Sequence, residues 1–309
     1  MIDRRSLPPA RRAGYRLFGR TFDYLLHLRP AEWPIMAVHT ALGYLLAVGL
    51  DGVAAGERLH PALAGLALWV VCLNGGTLAI NSAFDRDETD IAYLRSPPPP
   101  PRGLFAFGLV LMGIGQAGAL LLGPGYATVY AACFVLSLAY SVPPVRLKAV
   151  AGADWVINLV GFGALTPLAG WLASGVPLRG PETIAILAFA PLFGALYPLT
   201  QLYQLEEDRR RGDRTFAAVL GLRRSLAVAI GAVLAAFATF ALAGLRSGWA
   251  GGDFVRWAML AGALASWLAV LLPWFRRAEG LPPAAHQRGM YLALGAWAVT
   301  DLAVAAAWM

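Results

Sequence analysis

Residues 61–84 read PALAGLALWVVCLNGGTLAINSAF, and residues 85–90 behind them read DRDETD. The first run carries no charge and has the length that a helix rising 1.5 Å per residue needs to cross ~30 Å of hydrocarbon. The second run is where such a helix must leave the lipid. The apolar run also holds a polar stripe. At 100° per residue, Asn81, Asp85 and Glu88 fall within about 60° of one another, and Asn74 and Thr77 extend the stripe deeper. Polar groups at bilayer depth are costly and turn towards a bundle interior or a watery cavity.

The rest of the chain repeats the pattern. Of its 309 residues 58% are hydrophobic and 14% charged, with mean hydropathy +0.60. A soluble domain carries about 25% charged residues. This balance excludes a soluble enzyme, a disordered chain and a disulfide scaffold, and Cys72 and Cys133 both lie inside apolar blocks. Blocks are expected at 33–50, 61–84, 104–122, 126–142, 154–173, 184–203, 226–245, 255–275 and 290–309, the fourth being the shortest. They lack the alternation of membrane strands and favour Ala, Leu and Gly, so the expected fold is all-α, a polytopic bundle of about nine transmembrane helices.

Taking the N-terminus as cytoplasmic, 21 of the 25 Lys and Arg fall on that side and four (Arg58, Arg179, Arg246 and Arg256) on the other. The positive-inside rule then sets the N-terminus inside and the C-terminus outside. The first 30 residues hold no cleavable signal, and the stretch 15–29 alternates aromatic and basic residues as an interfacial amphipathic helix does. The expected organisation is a basic interfacial segment at 1–30 and a single transmembrane domain at 31–309. A bacterial-type inner membrane, with the site facing the cytoplasm, is the expected location.

A second acidic cluster, Glu206, Glu207, Asp208 and Asp213, follows the sixth block, on the same side of the membrane as the first. Thr200, Gln204, Glu207 and Asp208 share one face if that helix continues. A solvated helix end balanced by nearby Arg explains either cluster alone. Two clusters that each continue as a polar stripe into an apolar helix point to a shared cavity. Facing carboxylates repel unless cations sit between them, and hard oxygens at a helix end suit Mg²⁺. A third segment, Tyr140-Ser-Val-Pro-Pro-Val-Arg-Leu-Lys148, leaves the fourth block. Its prolines stop the helix, and in an extended segment Arg146 and Lys148, two apart, would point the same way. Lys148 is the one lysine of the chain. Carboxylates, cations and a greasy interior together describe a site for an amphiphile, with an isoprenoid chain among the helices and its diphosphate at the cytoplasmic mouth.

These three segments resemble the UbiA superfamily of intramembrane prenyltransferases. Asn81 and Asp85 match its Asn-x-x-x-Asp-x-x-x-Asp motif. Asp208, Arg209, Gly212 and Thr215 match its second Asp-rich motif. Residues 140–148 are similar to its Tyr-x-Pro-Pro-x-Arg/Lys segment. The order of the motifs and the nine helices extend the resemblance over nearly the whole chain. Two positions depart from it. Thr89 stands four after Asp85, leaving Glu88 or Asp90 as third ligand of the first motif, and Gln204 stands four before Asp208, with Glu207 able to supply the missing charge.

The resemblance implies Mg²⁺-dependent transfer of a prenyl group from its diphosphate to a hydrophobic, often aromatic, acceptor. It implies metal ligands among Asn81, Asp85, Glu88, Asp90, Gln204, Glu207 and Asp208. It also implies a diphosphate grip from Arg146, Lys148, Arg95 and Arg209, with Asn81, Asp85, Asp208, Arg146 and Lys148 as the catalytic set. A terpene cyclase or a carotenoid elongase of the same superfamily would use the same carbocation. A transporter with acidic gates competes from another class, although its charges would gather nearer the midplane. The partners expected are an isoprenoid diphosphate, a hydrophobic acceptor and the bilayer; no feature indicates nucleic acid or a protein partner. The run Arg95-Ser-Pro-Pro-Pro-Pro-Pro-Arg102 favours a stiff PPII segment, either lid or spacer. Asp154 and Asn158 open the fifth block as part of an acceptor pocket or, for Asp154, as a helix N-cap.

Overall fold

The computed structural model describes residues 8–85, 91, 94–178, 180–206, 210 and 212–309. Two short helices, α1 (Pro9–Phe18) and α2 (Phe22–His27), lead in. They are followed by α3 (Trp33–Ala54), α4 (Leu59–Asp85), α5 (Leu104–Leu122) and α6 (Pro124–Ser141). The second half comprises α7 (Ala153–Ala173), α8 (Pro181–Gln201), α9 (Phe216–Arg246), α10 (Phe254–Arg277) and α11 (Pro283–Trp308). Among the described residues eight helices are long and apolar enough to cross a membrane. The remaining one, α6, is the fourth block, 18 residues long. Its inward face carries Ser137 and Tyr140 beside Cys133 and Leu136, all lining a chamber, so its apolar character is diluted where it meets the site.

Small residues set the helix crossings. A Cβ added to Gly43 on α3 would strike the Pro167 carbonyl on α7, and one added to Gly170 on α7 would strike the Thr40 carbonyl on α3. The two backbones therefore touch, as membrane helices do where glycine meets its partner. Three apolar clusters result, the smallest around Leu28, Ala79 and Leu104. One joins α3 to α8–α11 around Phe189, Phe240 and Trp267. Another joins α4–α7 around Trp69, Met112, Tyr126 and Tyr130.

Several elements depart from expectation. The interfacial segment forms two helices, with a short 3-10 turn at Gly19–Thr21 between them, rather than one helix over 15–29. Helix α8 stops at Gln201, whose side chain binds Asp154 and the Ala217 N–H. The face shared by Thr200 and Gln204 therefore does not extend as one helix. Helix α9 starts ten residues before the expected block and is broken at Gly221, where φ is 76° and ψ is 174°. Both α4 and α7 contain π-helical turns, at Leu68–Asn74 and Leu159–Leu165.

Candidate active site at the mouth of an inter-helix chamber

Asp85 is the last described residue of helix α4, and the segment after α6 arrives beside it. That segment is not extended. Arg146 takes a left-handed conformation (φ 34°, ψ 56°), and Leu147–Ala149 make a 3-10 turn. Both cations nevertheless converge on one carboxylate. Lys148 Nζ pairs with Asp85 Oδ1, the two side chains only 10% and 9% exposed, and Arg146 Nη2 stands 3.8 Å from the same oxygen. The Arg146 guanidinium also forks onto Asp213, donating from Nη1 to Oδ1 and, at 3.2 Å, from Nη2 to Oδ2. Such a bidentate pair fixes geometry as well as charge. Arg146 thus bridges Asp85 on α4 to Asp213 in the segment before α9, so these two carboxylates share one cation.

A hydrogen-bonded hub underpins this cluster. Asp154, fully buried on the first turn of α7, is not an N-cap; that position is Gly152. Its Oδ1 accepts from Gly152 N–H at 2.9 Å. Its Oδ2 accepts from Phe216 N–H (2.8 Å), Gln201 Nε2 (3.1 Å) and Tyr197 Oη (3.3 Å). One carboxylate thereby ties the start of α7, the end of α8 and the start of α9, and so positions the loop carrying Asp213. A backbone bridge between Val150 and Arg214 joins the same loops.

One helical turn before Asp85, Asn81 lines a chamber of about 190 Å³ between α3, α4, α6 and α7. Its walls are largely apolar, including Trp69, Leu73, Leu136, Ile157 and Phe162, with Asn81, Tyr140, Asn158 and Arg29 among the polar lining. Tyr140 Oη lies 2.9 Å from Tyr197 Oη, which links the chamber wall to the Asp154 hub. Asn158 donates to the Asp154 carbonyl at 2.8 Å.

Of the residues expected to act together, Asn81, Asp85, Arg146 and Lys148 meet at or near this mouth. Arg95 is exposed and its side chain does not line the chamber. Gln204 lies on the turn after α8 with its N–H on the Gln201 carbonyl. Glu88, Asp90, Glu207, Asp208 and Arg209 lie outside the described residues. The donors that Asn81 and Asp85 bring are hard oxygens, the chemistry Mg²⁺ requires, and the cations beside them are what a diphosphate requires. The ligand set therefore fits a metal–diphosphate pair.

Sequence reasoning missed Arg29, Asp213, Tyr197 and Gln201. Arg29 is 8% exposed and lines the chamber, its Nε without a hydrogen-bond partner among the described residues. A buried arginine at the end of a basic segment looks, in sequence, like one more positive-inside anchor. Asp213 lay within the acidic cluster but outside the motif spacing. For Tyr197 and Gln201, inside an apolar block, helical phase relative to Asp154 gave no signal.

The proline strap is held from the N-terminus. Arg11 donates to the carbonyls of Arg95 and Ser96, each at 3.0 Å, Tyr24 to that of Arg102 at 2.6 Å, and His27 Nε2 meets that of Pro98 at 3.1 Å. The strap is therefore a pinned connection packed against α1 and α2.

The comparisons with known proteins agree with this geometry. The UbiA prenyltransferase family matches residues 37–295. A lycopene elongase/hydratase of Halobacterium salinarum is 28% identical over 233 residues, covering 74% of this chain and 82% of that protein. A digeranylgeranylglyceryl phosphate synthase of Halobacterium salinarum is 32% identical over 196 residues, 61% of this chain and 67% of the relative. Among solved structures, a UbiA homologue from Archaeoglobus fulgidus bound to DMAPP and Mg²⁺ superposes with a TM-score of 0.69 at 18% identity, over 92% of this chain and 99% of that one. With more than half its length matched by that family, this chain belongs to the UbiA prenyltransferase family.

Proposed function

We propose that the chain transfers a prenyl group from an isoprenoid diphosphate to a hydrophobic acceptor inside the membrane, with residues 31–309 as one catalytic domain. The observation that carries this reading is the meeting of Asp85, Lys148, Arg146 and Asp213 one helical turn beyond Asn81, which lines a largely apolar chamber. In a bacterial inner membrane with the N-terminus inside, that mouth faces the cytoplasm, where a charged diphosphate is available.

Asn81 and Asp85, with Asp208, the neighbouring acids Glu88, Asp90 and Glu207 and the Gln204 carbonyl, are the proposed holders of Mg²⁺, which would supply charge neutralisation for the leaving diphosphate. Lys148 and Arg146 have the second task. Each is held by a carboxylate now, and each would turn its N–H donors to the diphosphate oxygens as the allylic C–O bond breaks and its electron pair leaves with oxygen. Arg29, from the opposite wall, and Arg209 add to that grip. The apolar chamber keeps bulk water from the carbocation until the acceptor meets it. The relatives support two acceptor classes, a polyene and a glyceryl lipid. The apolar lining of Trp69, Leu73 and Phe162 favours the first of these.

The test is direct. Purified protein in lipid nanodiscs with Mg²⁺ should release diphosphate from dimethylallyl or geranylgeranyl diphosphate only with a suitable acceptor, mass spectrometry identifying the prenylated product. A cyclic hydrocarbon formed without acceptor would assign the chain to the cyclases, and ion flux without diphosphate release would assign it to transport.

A further inference from the structure

A second cavity, of about 720 Å³, lies between the end of α8, the start of α9, the end of α10 and the start of α11. It shares no lining residue with the chamber. Helix α9 starts just after Asp213, which Arg146 joins to Asp85, so this cavity belongs to the end of the bundle that carries Asp85. Its walls combine three kinds of surface. Leu205, Leu222 and Phe275 are apolar, Arg223 and Arg224 are cationic, and Glu206 and Glu279 are anionic. All four charged residues are exposed, and among the described residues no ion pair joins either arginine to either glutamate. The Arg223 guanidinium carbon stands 5.2 Å from the Phe275 ring centroid, which holds the cation against the apolar wall. Two cations and two anions that share a cavity without neutralising each other suit a ligand that is itself a zwitterion.

His286 adds a donor of fixed direction. It is 3% exposed and lines the same cavity. The Trp274 indole N–H donates to His286 Nδ1 at 2.9 Å. An indole nitrogen only donates, so Nδ1 accepts and the proton of the neutral ring sits on Nε2. Nε2 is buried and completes no hydrogen bond among the described residues, although the Leu281 carbonyl approaches the ring. A buried N–H without an acceptor is costly. A phosphate oxygen is an acceptor that His286 can share with the two arginines.

The way out of the cavity towards lipid is apolar. Ala227 lines the cavity, and Gly231, Leu234 and Ala238 continue its face of α9 at spacings of three and four residues, all of them exposed. A side-chain carbon added at Gly231 would meet nothing within 4 Å, so the strip is open to a hydrocarbon chain.

We propose that this cavity binds a glycerophospholipid whose headgroup carries both a phosphate and a primary ammonium. Arg223, Arg224 and His286 Nε2 donate to the phosphate oxygens, Glu206 and Glu279 accept from the ammonium, and one acyl chain follows α9 past Gly231 and Leu234. The volume falls in the range of small-molecule pockets, about 300–1,000 Å³, which suits a headgroup and its glycerol rather than a whole lipid. Binding here involves no covalent step and is independent of the prenyl-transfer reading.

The experiment uses the full chain, delipidated in a neutral detergent. It is mixed with phosphatidylethanolamine, phosphatidylglycerol or phosphatidylcholine of identical acyl chains, and retained lipids are counted by native mass spectrometry. One phosphatidylethanolamine should be retained, about tenfold more tightly than either of the others. Phosphatidylglycerol brings no cation to the glutamates, and the quaternary ammonium of phosphatidylcholine has no N–H to donate. Arg224→Gln should weaken retention by about tenfold, and His286→Phe should weaken it several-fold. Glu279→Gln should erase the preference over phosphatidylglycerol. Arg224 and Glu279 are exposed, so their variants should elute as the wild type does. Equal retention of the three lipids overturns the proposal, as does a preference for phosphatidylglycerol, which would assign the cavity to an anionic lipid. Phosphatidylethanolamine retention that neither Arg224→Gln nor Glu279→Gln alters places the lipid elsewhere and overturns it too. Displacement of the lipid by inorganic phosphate overturns it in favour of a free anion.

Discussion

Two polar clusters, each built on a carboxylate, lie within this bundle, and they differ in what surrounds them. At the chamber mouth Asp85 meets Lys148 and Arg146, with the arginine side chain 30% exposed. On the other side of α3, His39 Nδ1 meets Asp301 Oδ1 at 3.1 Å, at side-chain exposures of 3% and 2%. The second pair is sealed: the His39 ring sits 4.8 Å from both the Phe189 and the Trp297 ring, edge to face. Neither residue lines the chamber. The first pair is thus a set of charges with room to exchange partners, whereas the second locks α3 to α11. Charge inside a membrane protein reads as chemistry only where a cavity adjoins it.

The largest effect that would test this contrast is at Asp85. Asp85→Asn should cut prenyl transfer by about a hundredfold or more while the protein still elutes as a folded species; activity within a few-fold of wild type would remove Asp85 from the site. Next come the cations. Lys148→Met and Arg146→Gln should each lower kcat/KM for the diphosphate substrate by roughly tenfold to a hundredfold, measured by product mass spectrometry over a substrate series.

The sealed pair should behave the other way. Asp301→Leu is expected to cost about 2 kcal/mol of stability by leaving the buried His39 Nδ1 without its partner and to lower the Tm in detergent, with kcat unchanged. The double variant His39→Phe with Asp301→Leu should recover most of that loss, because it removes both polar groups together. A kcat defect in either variant at temperatures where it stays folded would erase the distinction between the clusters. The smallest effect is expected at Arg11. Arg11→Ala removes two hydrogen bonds to the strap carbonyls, each worth ~1 kcal/mol, and should raise proteolytic nicking near residues 95–102 with little change in turnover.

Much of the site was legible because it obeys helical phase. Asn81 and Asp85 sit one turn apart on a helix whose boundaries are set by where charge begins. Lys148 stood out as the single lysine behind two prolines. The expectation that Arg146 and Lys148 point together from an extended segment named the right residues through the wrong geometry, since a left-handed Arg146 and a 3-10 turn bring them to Asp85 instead. Asp154 had two readings in the sequence, pocket and cap, and is neither; it organises three helix ends from a fully buried position.

What the sequence determined by itself was local: apolar runs long enough to span lipid, the side on which arginines gather, and the polar face of α4. These follow from transfer free energies and from a repeat of 3.6 residues, which act within a single segment. Only the tertiary structure decided that Arg146 reaches Asp213, 67 positions away, that Asp154 receives the Phe216 N–H from α9, and that Arg29 and Asn74 face one chamber. Those partnerships depend on how glycine-lined helices cross and on where each helix stops. No single segment carries that information, because the free energy that selects it belongs to contacts between segments.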